Sequence, residues 1–226
     1  MILEWIFPAF CIHCQEKTSH YRELLCGGCK TLLTFLDPQE RCRTCFASLE
    51  GRGCPICAHK TSAVKKRAAA FDYMGPMATL VHQLKFAKRF PLAKDFAAFL
   101  VVQLDRLNWP LPDLLIPVPQ SFTRKLIRGF NQSELIAQEM SCLLQRPCLN
   151  LLKRRSGDFS QMGQDRAQRE ALEASAFSWK KFHDLSDKTL LLIDDVMTSG
   201  TTLNHCATLL DEASPAAIYA LTVCMT

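Results

Sequence analysis

One stretch of the chain, residues 190–203, restricts the protein to a small set of folds. It opens with four consecutive apolar residues, Leu190 to Ile193, a pattern typical of a strand that is buried on both faces of a parallel sheet. Asp194 and Asp195 follow this strand, and a polar turn then leads into a helical pattern of apolar residues. A buried strand, a polar turn and a helix in this order are typical of an open α/β sheet.

The turn after the strand has the composition of a phosphate-binding loop. Backbone N–H groups, hydroxyls and the amino end of a helix all attract an anion, and ligands of such sheets bind where the strands end. The two aspartates cannot bind a phosphate directly, but they can accept hydrogen bonds from sugar hydroxyls or hold Mg²⁺ on a substrate. The loop therefore suits a phosphorylated sugar, and its members are Thr198, Ser199, Gly200, Thr201 and Thr202.

An ordinary strand, turn and helix with a capping threonine is the alternative interpretation of this stretch. We disfavour it because two adjacent aspartates at the end of a buried strand are costly without a ligand or a partner. Two competing phosphate motifs, G-x-x-x-x-G-K-[ST] and a strand-borne G-x-G-x-x-G, do not occur in the sequence.

Eight of the twelve cysteines form four C-x-x-C pairs within residues 11–57. Each pair has the spacing with which two thiolates reach one tetrahedral Zn²⁺. A disulfide framework is the alternative, but it needs an oxidising compartment, and the first residues lack the basic region of an export signal. We therefore predict two structural zinc sites with the ligands Cys11, Cys14, Cys26, Cys29, Cys42, Cys45, Cys54 and Cys57.

The sequence leaves open how the four pairs share the two zinc ions. In a sequential arrangement the first two pairs hold one ion and the last two hold the other, whereas a cross-brace would interleave them. His13 and His59 flank the pairs and could replace a ligand, although eight cysteines already complete two sites. Because this segment has few periodic apolar residues, we expect it to need metal in order to fold.

A polar linker at residues 58–67 divides the chain into a cysteine-rich domain, 1–62, and an α/β domain, 63–226. Strands alternating with helices in the second part predict a largely parallel, doubly wound sheet. We expect a basic loop at 120–131 and a mobile active-site loop at 153–175. The expected strands are 68–73, 114–118, 149–152, 190–193 and 216–224, and the expected helices begin near 75, 92, 133 and 202.

The stretch at 190–203 resembles the phosphoribosyl pyrophosphate (PRPP) loop of type I phosphoribosyltransferases. In front of it, four C-x-x-C pairs, Leu-Lys-Phe (84–86), Ile-Pro-Val-Pro (116–119) and Arg-Gly-Phe-Asn-Gln-Ser (128–133) follow in the order of the ComF and GntX-type competence proteins. The resemblance covers nearly the whole chain. It implies an α/β fold like that of the type I phosphoribosyltransferases, with a small amino-terminal double zinc ribbon. Gln161, Gly163, Arg166 and Arg169 resemble the mobile loop of the family, in which Leu172 replaces a common Asn.

The resemblance implies that the protein binds PRPP together with Mg²⁺. Asp194 and Asp195 would bind the ribose hydroxyls and stabilise the positive charge of an oxocarbenium-like transition state, which makes them the candidate catalytic residues. A phosphoribosyltransferase is favoured, and the alternatives are a non-catalytic PRPP sensor, a DNA-binding adaptor or a transferase of nucleotide metabolism. The implied PRPP-binding residues are Asp194, Asp195, Thr198, Ser199, Gly200, Thr201, Thr202, Arg124, Lys125, Arg128 and Lys85.

The resemblance also implies a cytoplasmic protein of natural transformation, with single-stranded DNA and other competence proteins as partners. The formal net charge is +5, and eight thiolates with two zinc ions reduce it to about +1. Net charge alone is therefore weak support for nucleic-acid binding. No apolar run approaches the ~20 residues of a membrane span. The candidate DNA contacts are the clusters 65–67, 88–89 and 153–155, with the aromatic residues Phe122, Phe130 and Phe159.

Overall fold

The computed structural model of the protein describes residues 9–49, 53–54, 56–57, 62–154 and 176–226. A parallel sheet of four strands lies at its centre, which confirms the predicted α/β class. In spatial order the strands are β1 (Lys66–Asp72), β6 (Ala217–Met225), β5 (Thr189–Met197) and β2 (Leu114–Pro117). All three neighbouring pairs of strands run parallel, so the carboxyl ends of the strands meet at one edge of the sheet.

The two central strands are the most apolar, as expected of strands covered on both faces. Residues 190–193 of β5 are buried, as the sequence predicted, and so are residues 218–225 of β6. Thr222 is the polar exception within β6, and its hydroxyl donates to the backbone carbonyl of Cys224 at 2.8 Å. Strand β5 therefore continues from a buried run directly to the partly exposed Asp194 and Asp195 at the sheet edge.

The described residues contain six helices. Helices α3 and α5 pack against each other and against the sheet, while α6 packs against β5 and β6. None of the described helices has both the length and the apolar character required to cross a membrane. The helices are α1 (Gly27–Thr31), α2 (Gly75–Phe86), α3 (Leu92–Arg106), α4 (Phe122–Arg128), α5 (Gln132–Leu144) and α6 (Thr201–Asp211), and Pro38–Glu40 form a 3₁₀ turn.

The prediction of a basic loop at 120–131 is wrong, because the middle of this segment forms helix α4. Ser121 caps the helix by accepting a hydrogen bond from the backbone N–H of Arg124 at 3.4 Å. Gly129 ends it in the left-handed region, with φ of 83°, and its N–H donates to the carbonyl of Lys125 at 2.7 Å. A serine before a helix and a glycine after it are recognised start and stop signals, but seven residues are too few for a clear apolar period.

The predicted strand at 149–152 is also displaced. Only one bridge, between Leu115 and Cys148, joins this region to β2, after which the chain turns away from the sheet. Residues Leu152–Arg154 then form β3, which pairs antiparallel with β4 at Phe177–Trp179. The predicted mobile loop at 153–175 falls mostly on residues 155–175, which lie outside the described residues, as do residues 58–61 of the linker.

The amino-terminal segment packs against the outer edge of the sheet at β1. The backbone N–H of Leu36 donates to the carbonyl of Ala70 at 2.9 Å. The fully buried Gln103 of α3 then donates from Nε2 to the carbonyls of Leu36 and Ala69, both at 3.0 Å. These bonds satisfy backbone groups at the sheet edge and hold the cysteine-rich segment against the α/β part.

Candidate functional site

A polar crevice with a volume of about 440 Å³ opens where β2 and β5 end. Parallel strands bring their carboxyl ends to one edge, so chain segments that are distant in sequence meet there. The lining residues come from the ends of β1 and β5, from α2, α4 and β3, and from the starts of α5 and α6. They are Tyr73, Lys85, Val118, Pro119, Gln120, Arg124, Arg128, Asn131, Gln132, Ser133, Arg154, Asp194, Asp195, Val196, Thr198, Thr202 and Thr226.

Asp194 is held from two sides. The hydroxyl of Ser133, at the start of α5, donates to Asp194 Oδ1 at 2.7 Å. The backbone N–H of Asp195 donates to the same oxygen at 2.9 Å. Desolvation, followed by the neighbouring charge of Asp195, raises the pKa of Asp194 to about 7, despite these two hydrogen bonds. The carboxyl group is therefore fixed in orientation, and it changes charge near neutral pH.

Asp195 has a cationic partner. Lys85 Nζ, at the last turn of α2, lies 3.0 Å from Asp195 Oδ2. The two side chains are only 16% and 13% exposed, so water screens the pair weakly. The two adjacent aspartates thus differ in environment, because Asp194 accepts a serine hydroxyl whereas Asp195 accepts a charged lysine.

Three arginines complete the positive side of the crevice. Arg124 and Arg128 lie one turn apart on α4, and Arg154 lies on β3. Arg128 stacks on the ring of Phe86 at 4.9 Å and Arg154 on the ring of Phe177 at 5.1 Å, which restricts where each guanidinium lies. Partial burial lowers the pKa of Arg128 below its ordinary value. Together with Lys85, four cations face two carboxylates, so the crevice favours an anion with several charges.

The Gly/Thr/Ser turn adopts the predicted strand-to-helix geometry. Gly200 has a φ of 76°, and α6 begins at the next residue. Thr198 and Thr202 line the crevice, whereas Ser199, Gly200 and Thr201 do not line it. The hydroxyls of Ser199 and Thr201 instead hydrogen-bond each other at 2.8 Å. An 11-residue helix therefore points its amino end at the edge of the crevice, where it favours negative charge.

The segment before α5 contributes buried polar groups that the sequence did not single out as ligands. Asn131 does not cap the helix with its side chain but donates from Nδ2 to the carbonyl of Val118 at 3.0 Å. Gln132 is only 2% exposed. Three buried polar atoms that line the crevice have no hydrogen-bond partner in the described structure: Gln120 Oε1, Asn131 Oδ1 and Gln132 Nε2. Buried groups of this kind are normally satisfied, so they are free to bind a polar ligand.

Two groups of four thiols lie outside the crevice, in the amino-terminal segment. Within each group, all Sγ atoms lie within 4.8 Å of one another. Tetrahedral zinc with bonds of about 2.3 Å separates its sulfur ligands by about 3.8 Å, so both groups have a suitable donor set. Cluster 1 consists of Cys11, Cys14, Cys26 and Cys29, and cluster 2 consists of Cys42, Cys45, Cys54 and Cys57. This is the sequential arrangement, and the interleaved cross-brace is excluded.

Other predicted functional residues lie elsewhere. Lys125 is exposed on α4 and does not line the crevice. His13 Nδ1 forms a hydrogen bond of 2.9 Å with Thr79 Oγ1 and is not part of cluster 1. His59 lies outside the described residues. Of the candidate DNA contacts, Arg154 lies in the crevice and Phe130 packs against Phe90.

Comparisons with known proteins agree with this geometry. The family described as "Phosphoribosyl transferase domain" matches residues 128–225, which include α5, β5 and α6. "Competence protein F" of Haemophilus influenzae is 29% identical over 209 residues, covering 88% of this chain and 90% of that protein. "Competence protein ComFC" of Streptococcus pneumoniae is 30% identical over 215 residues, covering 84% and 93%.

Among solved structures, a purine phosphoribosyltransferase from Pyrococcus horikoshii is similar over 59% of this chain and 73% of that one, with 19% identity and a TM-score of 0.38. The two competence proteins are similar to this chain from the cysteine-rich segment through the phosphoribosyltransferase region, since each match covers more than four fifths of it. The chain belongs to the ComF family of competence proteins, with a phosphoribosyltransferase domain behind two four-cysteine clusters.

Proposed function

We propose that the crevice binds PRPP together with Mg²⁺ and that the protein is a phosphoribosyltransferase. One observation carries this proposal: a fixed pair of carboxylates, four cations and a helix amino end surround one polar crevice. A phosphorylated sugar carrying a pyrophosphate has hydroxyls for the carboxylates and two separate anionic groups for the cations and the helix end. Neither a neutral ligand nor a simple phosphate would use all three features.

The carboxylates serve the sugar in this proposal. The ionised Asp194 and Asp195 accept hydrogen bonds from the two ribose hydroxyls. As the bond to pyrophosphate breaks, positive charge develops at the anomeric carbon, and nearby fixed carboxylates stabilise it. Ser133 keeps Asp194 in place, so the carboxylate needs little reorganisation when the charge appears.

The cations serve the leaving group. In this proposal Arg124, Arg128 and Arg154, which line the crevice, bind pyrophosphate oxygens, and the loop from Thr198 to Thr202 binds the 5′-phosphate. Mg²⁺ would neutralise part of the pyrophosphate charge when bound with the substrate, and Asp194 and Asp195 are the residues that would hold it. Lys85 is already paired with Asp195, so its ammonium both holds that carboxylate and adds positive potential to the crevice.

The biological role follows from the relatives, two of which are named competence proteins. We propose that the chain acts in the cytoplasm during natural transformation, the uptake of DNA, in contact with other competence proteins. The clusters of reduced thiols suit a reducing compartment. A PRPP sensor without catalysis uses the same crevice, and release of pyrophosphate from PRPP distinguishes the enzyme from the sensor.

The first prediction concerns the carboxylates. Replacing Asp194→Asn and Asp195→Asn together should weaken the affinity for Mg²⁺-PRPP at least tenfold, about 1.4 kcal/mol, because the amides keep the shape but lose the charge. The fold should survive, since the change removes repulsion between neighbours. Isothermal titration measures the affinity, with Asp211→Asn on the exposed end of α6 as the matched control. Equal affinities in all three proteins would exclude this crevice as the PRPP site.

The second prediction concerns pH. In the folded protein Asp194 keeps its proton up to a pH of about 7, whereas in the unfolded chain it ionises near its ordinary value. Ionising Asp194 in the ligand-free folded protein therefore lowers the free energy of unfolding as the pH rises to about 7. A ligand that needs the ionised carboxylate binds better above that pH. The affinity for PRPP should rise between pH 6 and 8, with release of a proton on binding. Asp194→Asn should remove this rise, and an identical pH profile in the variant would contradict the assignment.

The third prediction concerns metal. We propose that each four-cysteine cluster holds one structural Zn²⁺, because four thiolates fill its coordination sphere. Elemental analysis of protein purified under reducing conditions should give two zinc ions per chain. Cys14→Ser should reduce the content to about one. Cys142→Ser, which changes an exposed cysteine outside the clusters, should leave it unchanged. Wild-type protein without zinc would exclude structural zinc sites.

A second candidate function, binding of single-stranded DNA, rests on a separate groove beside cluster 2. The groove has a volume of about 880 Å³, and its described lining contains three cations, Arg41, Arg43 and Lys66, but no acidic residue. The half-buried Trp109 contributes aromatic surface to the same lining, whereas the Phe46 side chain there is only 2% exposed. Single-strand binders combine a positive groove with aromatic side chains on which bases stack.

The fourth prediction tests this groove. Arg41 is already paired with Asp72 at 3.5 Å, so Arg43 and Lys66 are the better probes. Replacing both by Ala should reduce the slope of log affinity against log salt by about 1.4, as expected for two phosphate contacts with a single strand. The matched control is Lys180→Ala with Lys181→Ala, which also removes two exposed charges. A slope unchanged from that of wild type would exclude the groove as the DNA contact.

A further inference from the structure

Cluster 2 and the phosphate loop are connected by one side chain, Arg67 of β1. Its backbone N–H donates to the carbonyl of Thr44 at 2.9 Å, within the turn that carries two ligands of cluster 2. Its Nε donates to the carbonyl of Cys45 at 3.4 Å, and its Nη1 donates to the carbonyl of Ser199 at 3.3 Å. The guanidinium therefore spans from a cluster ligand to the backbone of the loop that enters α6.

The guanidinium lies directly against Gly200. A Cβ atom added at this glycine would come within 2.0 Å of Arg67 Nη1. The φ of 76° at Gly200 also belongs to the region that residues with a Cβ avoid. The left-handed φ favours glycine here, and the close approach shows that the loop backbone lies against the guanidinium of Arg67.

A second connection reaches the same loop from the chain segment that follows cluster 2. Ser62 Oγ donates to Asn204 Oδ1 at 2.9 Å, and the backbone N–H of Ala63 donates to the same oxygen at 3.2 Å. Asn204 belongs to the first turn of α6, and its own N–H donates to the carbonyl of Gly200 at 3.0 Å. The start of α6 is therefore attached to the chain segment that follows cluster 2.

Cluster 1 has a different neighbourhood. His13, between two of its ligands, contacts Thr79 of α2 through a hydrogen bond of 2.9 Å. Ile12 donates from its N–H to the carbonyl of Leu24, at 2.9 Å, within the same segment. No hydrogen bond in the described residues joins cluster 1 to residues 198–204. The two clusters are chemically alike, but among the described residues only cluster 2 is connected to the loop, and this connection runs through Arg67.

The geometry points to Arg67 as a positioning residue that couples metal occupancy of cluster 2 to the conformation of the phosphate loop. The four thiolates hold the turn at Thr44 and Cys45 only when they are gathered on a metal ion. Arg67 transmits that position to the carbonyl of Ser199, and so to the backbone N–H groups that receive the 5′-phosphate. Because linkage is reciprocal, a bound sugar phosphate also retains the metal of cluster 2. The effect of the ligand on metal retention rests on the proposed binding of PRPP.

Amide hydrogen exchange of residues 198–203 tests the coupling without any ligand. Arg67→Met keeps most of the side-chain length but removes the donors, and it should speed exchange in this loop at least about tenfold, as expected for a lost local restraint. Cys54→Ser should have the same effect through loss of the metal. Lys180→Met, which changes an exposed cation after β4, and Cys14→Ser are the controls and should leave the loop unchanged. Unchanged loop exchange in Arg67→Met, with the same free energy of unfolding as wild type, overturns the inference.

Zinc release to a chelating dye tests the reciprocal half. In wild type, saturating Mg²⁺-PRPP should slow the release of one zinc ion of the two at least about fivefold. The protection should be lost in Arg67→Met and kept in Lys180→Met. If PRPP binds and both zinc ions leave at unchanged rates, the coupling to the ligand is wrong. If wild type does not bind PRPP while loop exchange responds to Arg67, the proposed function fails and the positioning role stands.

Discussion

The constraint on which the rest of the site depends is the free-energy cost of placing two adjacent carboxylates at the end of a buried strand. Leu190 to Ile193 leave Asp194 and Asp195 little choice of position, because the backbone before them is fixed by β2 and β6. The charges are tolerated because other segments supply partners, with Ser133 at 2.7 Å from Asp194 and Lys85 at 3.0 Å from Asp195. The pKa of Asp194 is raised by desolvation and by the neighbouring charge of Asp195, which its hydrogen bonds offset only in part. A site of this kind is ready for a polar ligand, since such a ligand adds the missing hydrogen bonds.

The local parts of the site could be predicted from sequence, and the parts made by distant segments could not. The strand, the two aspartates and the turn at Gly200 are contiguous, so periodicity and composition were sufficient. Ser133 is separated from Asp194 by 61 positions in the sequence. The residues around Ser133 do not reveal whether its hydroxyl donates to a distant carboxylate or caps a helix. Lys85 entered the candidate set only through the resemblance to a family. Arg154 was assigned to a DNA surface, because a run of basic residues does not reveal that one of them turns into a crevice.

The cysteine-rich segment is more than an appendage in this account. Two backbone hydrogen bonds join it to β1, from Leu36 N–H to the Ala70 carbonyl and from Arg67 N–H to the Thr44 carbonyl. The buried Gln103 of α3 also donates to the carbonyls of Leu36 and Ala69. The sequential sharing of thiols places cluster 2 beside the phosphate loop and cluster 1 beside α2. A boundary near residue 62 remains the proposed domain division, and backbone hydrogen bonds cross it from Leu36 to Ala70 and from Arg67 to Thr44.

The most direct measurement of the central claim is a crystal structure of the protein with Mg²⁺ and PRPP. The account predicts the ribose hydroxyls within hydrogen-bond distance of Asp194 and Asp195, and the 5′-phosphate against the backbone of residues 198–202. It also predicts pyrophosphate oxygens on Arg124 or Arg128. PRPP bound in another cavity, or bound here with its ribose away from both carboxylates, would contradict the account.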